Sequence, residues 1–204
     1  MYEKKIVVFI SGNGSNMVAL AQASQQTEYP AEIVAVICDN PHARGIEKAQ
    51  NHNLPIHIVD RKIYKTKEEH EENIFTILNQ YKPDFLCFAG YMRLISPRFV
   101  KLYEGRILNI HPSLLPSFKG LNTHEKALQA GVKITGCTVH LVTEDMDAGK
   151  ILAQAAVPVY PHDTAECLAQ RVLKVEHKLY PEALKAFIEG KSKMIDTQQQ
   201  LLSL

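Results

Sequence analysis

Nowhere in these 204 residues is there an apolar run approaching the roughly 18 residues that a membrane span needs. The first ten residues carry Glu3, Lys4 and Lys5 ahead of a short apolar stretch that stops at Ser11 and Gly12. That stretch is too short for the core of a signal peptide and has no cleavage pattern after it. Neither charge is in excess. The net charge is +1 with the nine histidines neutral, so no broad basic face for nucleic acid is implied. Cysteine is sparse: Cys38, Cys87, Cys137 and Cys167 lie far apart in apolar stretches, without C-x-x-C spacing. They read as buried free thiols in a reducing cytoplasm. Histidine pairs with zinc-site spacing are absent, and so is the G-x-S-x-G elbow of a serine nucleophile. No repeat and no low-complexity linker interrupts the chain.

What is present has a globular balance, with 46% hydrophobic and 22% charged residues, and the length suits one large domain or two small ones. Short apolar runs alternate with helical patterns. Strands are expected at 5–10, 32–38, 56–59, 85–88, 107–111, 135–141 and 151–157. Helices are expected at 15–26, 45–52, 66–81, from 97, near 123, and at 164–189. Ser96 followed by Pro97 is a helix start, an N-cap with proline at the first helical position. This order predicts an α/β fold: a mostly parallel, twisted sheet with helices on both faces and an antiparallel pair after Gly131. A single domain is expected over 1–190, and 191–204 is a tail with little signal. Ligands of such sheets bind beyond the carboxyl ends of the strands, which directs attention to the residues after Ile10, Cys38, Phe88, Ile110 and Leu141.

The first strand runs into Ser11-Gly12-Asn13-Gly14-Ser15-Asn16 and then a helix. Two glycines allow a sharp turn, and the free N–H groups and dipole at the helix start favour an anion. The third glycine of a dinucleotide fingerprint is replaced by Met17, and the lysine of a Walker loop is missing, so a single phosphate monoester fits better than NAD or ATP. The alternative is a plain tight turn with Ser15 capping the helix. Asp39, after the second strand, mimics the ribose-binding acid of NAD enzymes and keeps another kind of nucleotide site open.

The stretch 106–113, Arg-Ile-Leu-Asn-Ile-His-Pro-Ser, is the most informative. Alternation puts Asn109 and His111 on one face of a strand that is covered on both sides, where unpartnered polar groups are costly. Pro112 ends the ladder and leaves His111 at the carboxyl end of the strand. An amide beside a titratable imidazole can hold a developing oxyanion and move a proton; the alternative is a structural histidine. Another strand end carries Thr143-Glu144-Asp145-Met146-Asp147, three acids of which one could orient His111, or an acidic turn facing water. In the last helix Ala165, Leu168, Ala169, Val172, Leu179, Ala183 and Phe187 form an apolar stripe with Glu176 near its middle. A carboxylate there is either a ligand contact or half of a structural ion pair.

Four stretches, 10–16, 90–97, 108–116 and 140–149, stand in this order. Together they closely resemble the 10-formyltetrahydrofolate-dependent formyltransferase family, over about 5–189. The Asn-x-His-Pro-Ser run with a later aspartate belongs to the wider family. The Ser-Gly-Asn-Gly-Ser-Asn opening resembles the members that act on glycinamide ribonucleotide. The resemblance implies a Rossmann-like formyltransferase fold, with a phosphate half over about 1–100 and a folate and catalytic half over about 101–190. It implies direct transfer of a formyl group from 10-formyltetrahydrofolate, as co-substrate and without a metal, to the amine of glycinamide ribonucleotide in de novo purine biosynthesis. The partners are then small molecules, not nucleic acid or membrane, and the protein is a cytoplasmic monomer or homodimer.

By the same resemblance Gly14, Ser15 and Asn16 hold the phosphate and Glu176 the ribose. Lys67, Met92, Arg93, Leu94, Ile95 and Asn109, with Thr143, Glu144, Asp145, Met146 and Asp147, surround the folate. Asn109, His111 and Asp147 form the catalytic group, Asp147 being chosen because it precedes Ala148-Gly149. Lys67 stands where an arginine often touches the folate, Lys119 where some members have proline, and Asn122 where some have histidine. Without the resemblance, Met92, Leu94 and Ile95 could be simple core. Three other readings stay open: a formyltetrahydrofolate hydrolase, a tRNA formyltransferase, for which the chain is short, and a non-catalytic nucleotide-binding domain.

Overall fold

The computed structural model describes residues 4–191, so the expected tail, Lys191 apart, lies outside the described residues. In chain order the elements are β1 (Lys4–Ile10), α1 (Ser15–Ser24), β2 (Ala31–Cys38), α2 (Gly45–Asn51), β3 (Ile56–Ile58), α3 (Lys67–Tyr81), β4 (Phe85–Phe88), α4 (Pro97–Leu102), β5 (Ile107–His111), α5 (Thr123–Gln129), β6 (Ile134–Leu141), β7 (Ile151–Pro158) and α6 (Ala165–Ile188). A 3-10 turn at Arg61–Ile63 precedes α3.

The strands form one sheet in the order β3-β2-β1-β4-β5-β6-β7. β1 to β5 pair in parallel, and β6 runs antiparallel to both β5 and β7, which is the antiparallel pair expected after Gly131. Ile6 to Ile10 of β1 are all fully buried, because both faces of the strand are covered. Alternation sorts them: Ile6, Val8 and Ile10 face Met17 and Leu20 of α1 and Leu168, Val172 and Leu184 of α6. Val7 and Phe9 face Ile74 and Leu78 of α3 and Phe99 of α4. Helices on both faces are therefore what the continuous apolar run builds.

The helix starts follow the local chemistry. Thr66 accepts from the Glu69 N–H at 3.1 Å, Ser96 from Phe99 at 3.1 Å and Thr164 from Cys167 at 3.2 Å. Pro97 occupies the first turn of α4, where its missing N–H costs nothing. Helix α1 ends at Ser24, two residues short of expectation. One thiol departs from expectation: Cys38, Cys87 and Cys137 are buried, but Cys167 is exposed. The buried seam of α6 passes through Leu168 and Val172, and a residue one step before Leu168 is turned about 100° away from it. No helix among the described residues is long and apolar enough to cross a membrane.

β1 has β2 on one side and β4 on the other, so the chain leaves their ends in opposite directions and a crevice opens at the carboxyl edge. Tyr180, fully buried on α6, pins the helix over this edge. Its hydroxyl lies 3.1 Å from the Phe88 carbonyl and 3.0 Å from that of Leu108, and donates its one hydrogen to them. Tyr180→Phe should lower stability by about 1 kcal/mol, the worth of one such bond, with an unchanged far-ultraviolet circular dichroism spectrum; urea denaturation measures it.

Candidate active site

β5 delivers Asn109 and His111 to the same wall of a cavity of about 670 Å³ at the carboxyl edge of the sheet. The antiparallel register sets His140 of β6 directly across from Asn109. The Nδ1 of His140 bonds to the Leu141 carbonyl at 2.9 Å, so Nδ1 carries the proton and Nε2 accepts from the Asn109 amide at 3.2 Å. Burial is the main cause that lowers the His140 pKa, which keeps this ring neutral. An amide nitrogen has two hydrogens; Asn109 uses one on His140 and retains one to donate. His111 donates from Nε2 to the Phe118 carbonyl at 3.0 Å, and its Nδ1 faces Oδ2 of Asp147 at 3.5 Å. Oδ1 of Asp147 lies 3.7 Å from Nε2 of His140. The structure thus brings Asn109, His111 and Asp147 together, with His140 as a fourth member.

The loops that complete this cluster hold unusual backbone. Phe118, Asn122 and Asp147 have φ of 54°, 57° and 50°, in the left-handed region that L-residues seldom adopt. The Phe118 conformation accompanies a carbonyl aimed at His111. Asp147 accepts the Gly120 N–H at 2.9 Å, which ties the two loops together. Of the three neighbouring acids only Asp147 is drawn in, with a side chain 10% exposed; Thr143, Glu144, Asp145 and Met146 are exposed at the cavity rim. Met92 and Leu94 line the cavity at 66% and 71% exposure, so they are not core. Ile95 is half-buried beside them.

Two expected folate residues sit differently. Lys67 does not line the main cavity; it borders a cleft of about 90 Å³ shared with Arg61 and Arg93. Arg93 reaches both spaces, but its Nε is bound to the buried carboxylate of Asp39 at 2.5 Å. Asp39 is therefore an ion-pair partner, and the ribose role its position suggested is not available to it.

At the first loop, Gly14 has φ of 68°, and a Cβ there would come within 2.8 Å of the Gly45 Cα. Glycine is needed at position 14 for both reasons. Helix α1 has no side-chain cap, and its first bond runs from the Val18 N–H to the Gly14 carbonyl at 3.0 Å. The N–H groups of Ser15, Asn16 and Met17 precede that bond and have no acceptor within the helix. Asn16 donates from Nδ2 to Oε2 of Glu176 at 2.7 Å, both residues being buried, while Oδ1 of Asn16 is buried without a partner. Glu176 is thus held by an amide and not by a cation, which removes the ion-pair reading. Burial is the main cause that raises its pKa, and the Asn16 bond opposes the rise. Ser15 also borders a second cavity, of about 700 Å³, between α1, α2 and α6.

Sequence reasoning missed His140 and also His124, which lines the main cavity with a buried Nδ1 that has no partner. It missed too the brace from Glu71, which accepts both the N–H and the hydroxyl of Ser96. The signal for His140 was strand pairing: an antiparallel neighbour of β5 had to place some residue opposite Asn109. Among the described residues no three His, Cys, Asp or Glu side chains are grouped to hold a metal ion.

Comparison with known proteins identifies relatives over nearly the whole chain. The sequence profile of the family described as "Formyl transferase" matches residues 4–184. The chain is 42% identical to a Bacillus subtilis protein named phosphoribosylglycinamide formyltransferase, over 91% of this chain and 95% of that one. It is 45% identical to the trifunctional purine biosynthetic protein adenosine-3 of Bos taurus over 91% of its own length, but spans only 18% of that protein. A crystal structure of phosphoribosylglycinamide formyltransferase from Brucella melitensis superposes with a TM-score of 0.90 at 54% identity, covering 99% of this chain and 100% of that one.

The raised pKa of Glu176 has a consequence for stability. Between its ordinary unfolded value and the raised folded one, the folded state holds more protons. Stability therefore falls as pH climbs through that window, and the penalty is complete above it. Glu176→Gln keeps the Asn16 bond without the charge. It should show a higher urea midpoint than the parent at the top of the window, with the gap closing as pH falls below about 4.3.

Proposed function

The chain belongs to the formyl transferase family, and we propose that it transfers a formyl group from 10-formyltetrahydrofolate to the amine of glycinamide ribonucleotide. The products are N-formylglycinamide ribonucleotide and tetrahydrofolate, as in de novo purine biosynthesis. The observation that carries this reading is the convergence of Asn109, His111 and Asp147 on one cavity, with the uncapped start of α1 on the same edge of the sheet. Residues 1–190 act as one cytoplasmic unit on small substrates. The phosphate half to about 100 and the catalytic half after it share the folate, since Met92, Arg93, Leu94 and Ile95 come from the first and residues 143–147 from the second.

In this reading the bare N–H groups at 15 and 16, reached over Gly14, hold the ribonucleotide phosphate, and Glu176 with Asn16 receives the ribose hydroxyls. The exposed apolar side chains of Met92, Leu94 and Met146 close on the flat pterin, with Lys67 toward its outer end. The uncharged amine attacks the formyl carbon, and the carbonyl oxygen becomes an alkoxide. The second hydrogen of Asn109 points at that oxygen, and so does the Nδ1 proton of His111, since Nε2 stays on the Phe118 carbonyl and the 3.5 Å contact of Nδ1 with Asp147 is too long to hold that proton. Asp147 stabilises the doubly protonated ring. As the bond from carbon to N10 breaks, the carbonyl re-forms, one proton leaves the new amide nitrogen and one reaches N10. Holding both substrates in line removes an entropic barrier of up to about 7–11 kcal/mol.

Removing one oxyanion donor costs about 2.7–4 kcal/mol in comparable sites. Asn109→Ala should therefore lower kcat by about 10²–10³-fold while its thermal melt stays close to that of the parent. The measurement is absorbance at tetrahydrofolate formation, with and without glycinamide ribonucleotide. Product that needs the ribonucleotide supports the transferase. Product without it makes the protein a hydrolase, and no product in either case leaves a binding domain.

A further inference from the structure

The folate wall at residues 92–95 is a loop that carries some of the most exposed apolar side chains in the protein. Leu94 is 71% exposed and Met92 66%, so of the apolar side chains at 92–95 only the half-buried Ile95 packs against the core. The loop's conformation comes from ties to other elements. The Ser11 N–H donates to the Gly90 carbonyl at 3.2 Å, and the Met92 N–H donates to the Ser11 hydroxyl at 2.8 Å. Ser96, where the loop ends, is held by the buried carboxylate of Glu71. Between these ties there is one ionic contact, from Nε of Arg93 to Oδ2 of Asp39.

Asp39 is built to be an anchor. It lies just past the end of β2 and is 2% exposed. Its N–H donates to the Ile10 carbonyl and its own carbonyl accepts the Arg61 N–H, both at 3.4 Å, so its backbone is tied on two sides. Its Oδ1 is buried without a partner, and among the described residues Arg93 is the one cation in an ion pair with it. Arg93 is the free end of the pair, with a side chain 44% exposed. A buried carboxylate holding a half-exposed guanidinium fixes where residue 93 sits, and with it the flanking side chains of Met92 and Leu94.

We propose that Asp39 is a positioning residue for the folate donor: through Arg93 it sets the 92–95 loop in the shape that receives the pterin, without touching either substrate. The inference rests on the folate reading of this cavity. A merely structural role would weaken both substrates alike or lower stability alone. A positioning role confines the loss to the donor.

The test is calorimetric titration of the full chain with a stable 5,8-dideaza analogue of 10-formyltetrahydrofolate and, separately, with glycinamide ribonucleotide. Asp39→Ala should weaken the folate analogue on the order of tenfold, with ribonucleotide affinity within twofold of the parent. Asp39→Asn, which keeps an acceptor for Arg93, should fall between the two. Asp39→Ala combined with Arg93→Ala should bind the analogue no more weakly than the worse single variant, because both remove the same tie. Parental analogue affinity in Asp39→Ala, equal weakening of both ligands, or additive losses in the double variant would overturn the proposal. If Asp39→Ala does not fold, Asp39→Asn decides it: a selective loss of about threefold supports the anchor, and an unchanged affinity rejects it. Failure of the parent protein to bind the analogue overturns the folate reading itself, an outcome separate from parental binding retained by the variants.

Discussion

A strand covered on both faces leaves an amide or an imidazole few partners, and β5 carries one of each, the half-buried Asn109 and the buried His111. That constraint organises the carboxyl edge of the sheet. Asn109 finds its partner in the strand alongside, where antiparallel pairing presents His140. His111 finds one in a loop carbonyl at Phe118 and a second contact in the Asp147 carboxylate. Each partner in turn needs its own support. His140 is locked by the Leu141 carbonyl, and Asp147 is held by the Gly120 N–H. The switch from parallel to antiparallel pairing at β6 is thus part of the chemistry, because it sets the neighbour that Asn109 meets.

Buried carboxylates recur at this edge, and they are satisfied in different ways. Asp39 meets a guanidinium, and Glu71 receives the N–H and hydroxyl of a helix cap. Glu176 meets only an amide, and Asn16 keeps a buried oxygen unpartnered. The first two fix backbone, although Oδ1 of Asp39 is itself buried without a partner. The Glu176 pair ties α1 to α6 through side chains alone, and a buried polar pair with a spare acceptor is suited to a ligand that supplies hydroxyl groups.

Much of this was legible in the sequence because local chemistry and long-range packing agree. The β1 run is apolar without alternation since both faces are covered, and α3, α4 and α6 start where Thr66, Ser96 and Thr164 can cap them. Asn109 and His111 stood out as polar residues in a strand that helices cover on both faces. Glu176 stood out for the same reason on a helical stripe. The illegible part was what depends on strand order and loop course. His140 lay in an apolar-looking strand, and its importance comes from register with β5. Asp39 looked like a ribose ligand because its place after β2 is right for one, and only the path of residues 90–96 brings Arg93 to it. Cys167 was misjudged by a single step around a helix, where 100° separates the core from solvent.

The left-handed backbone at Asp147 narrows what that position can become. Among residues with a side chain, asparagine and aspartate enter this region most readily, since their short polar groups can bond locally. In the proposed reaction, stabilising the His111 ring asks separately for an acid. Two independent filters, one conformational and one chemical, overlap in a single letter of the amino-acid alphabet. A glutamate would satisfy the second filter and fail the first, and an asparagine would do the reverse. The loop is therefore a narrow fit: no single replacement of this aspartate preserves both its shape and its charge.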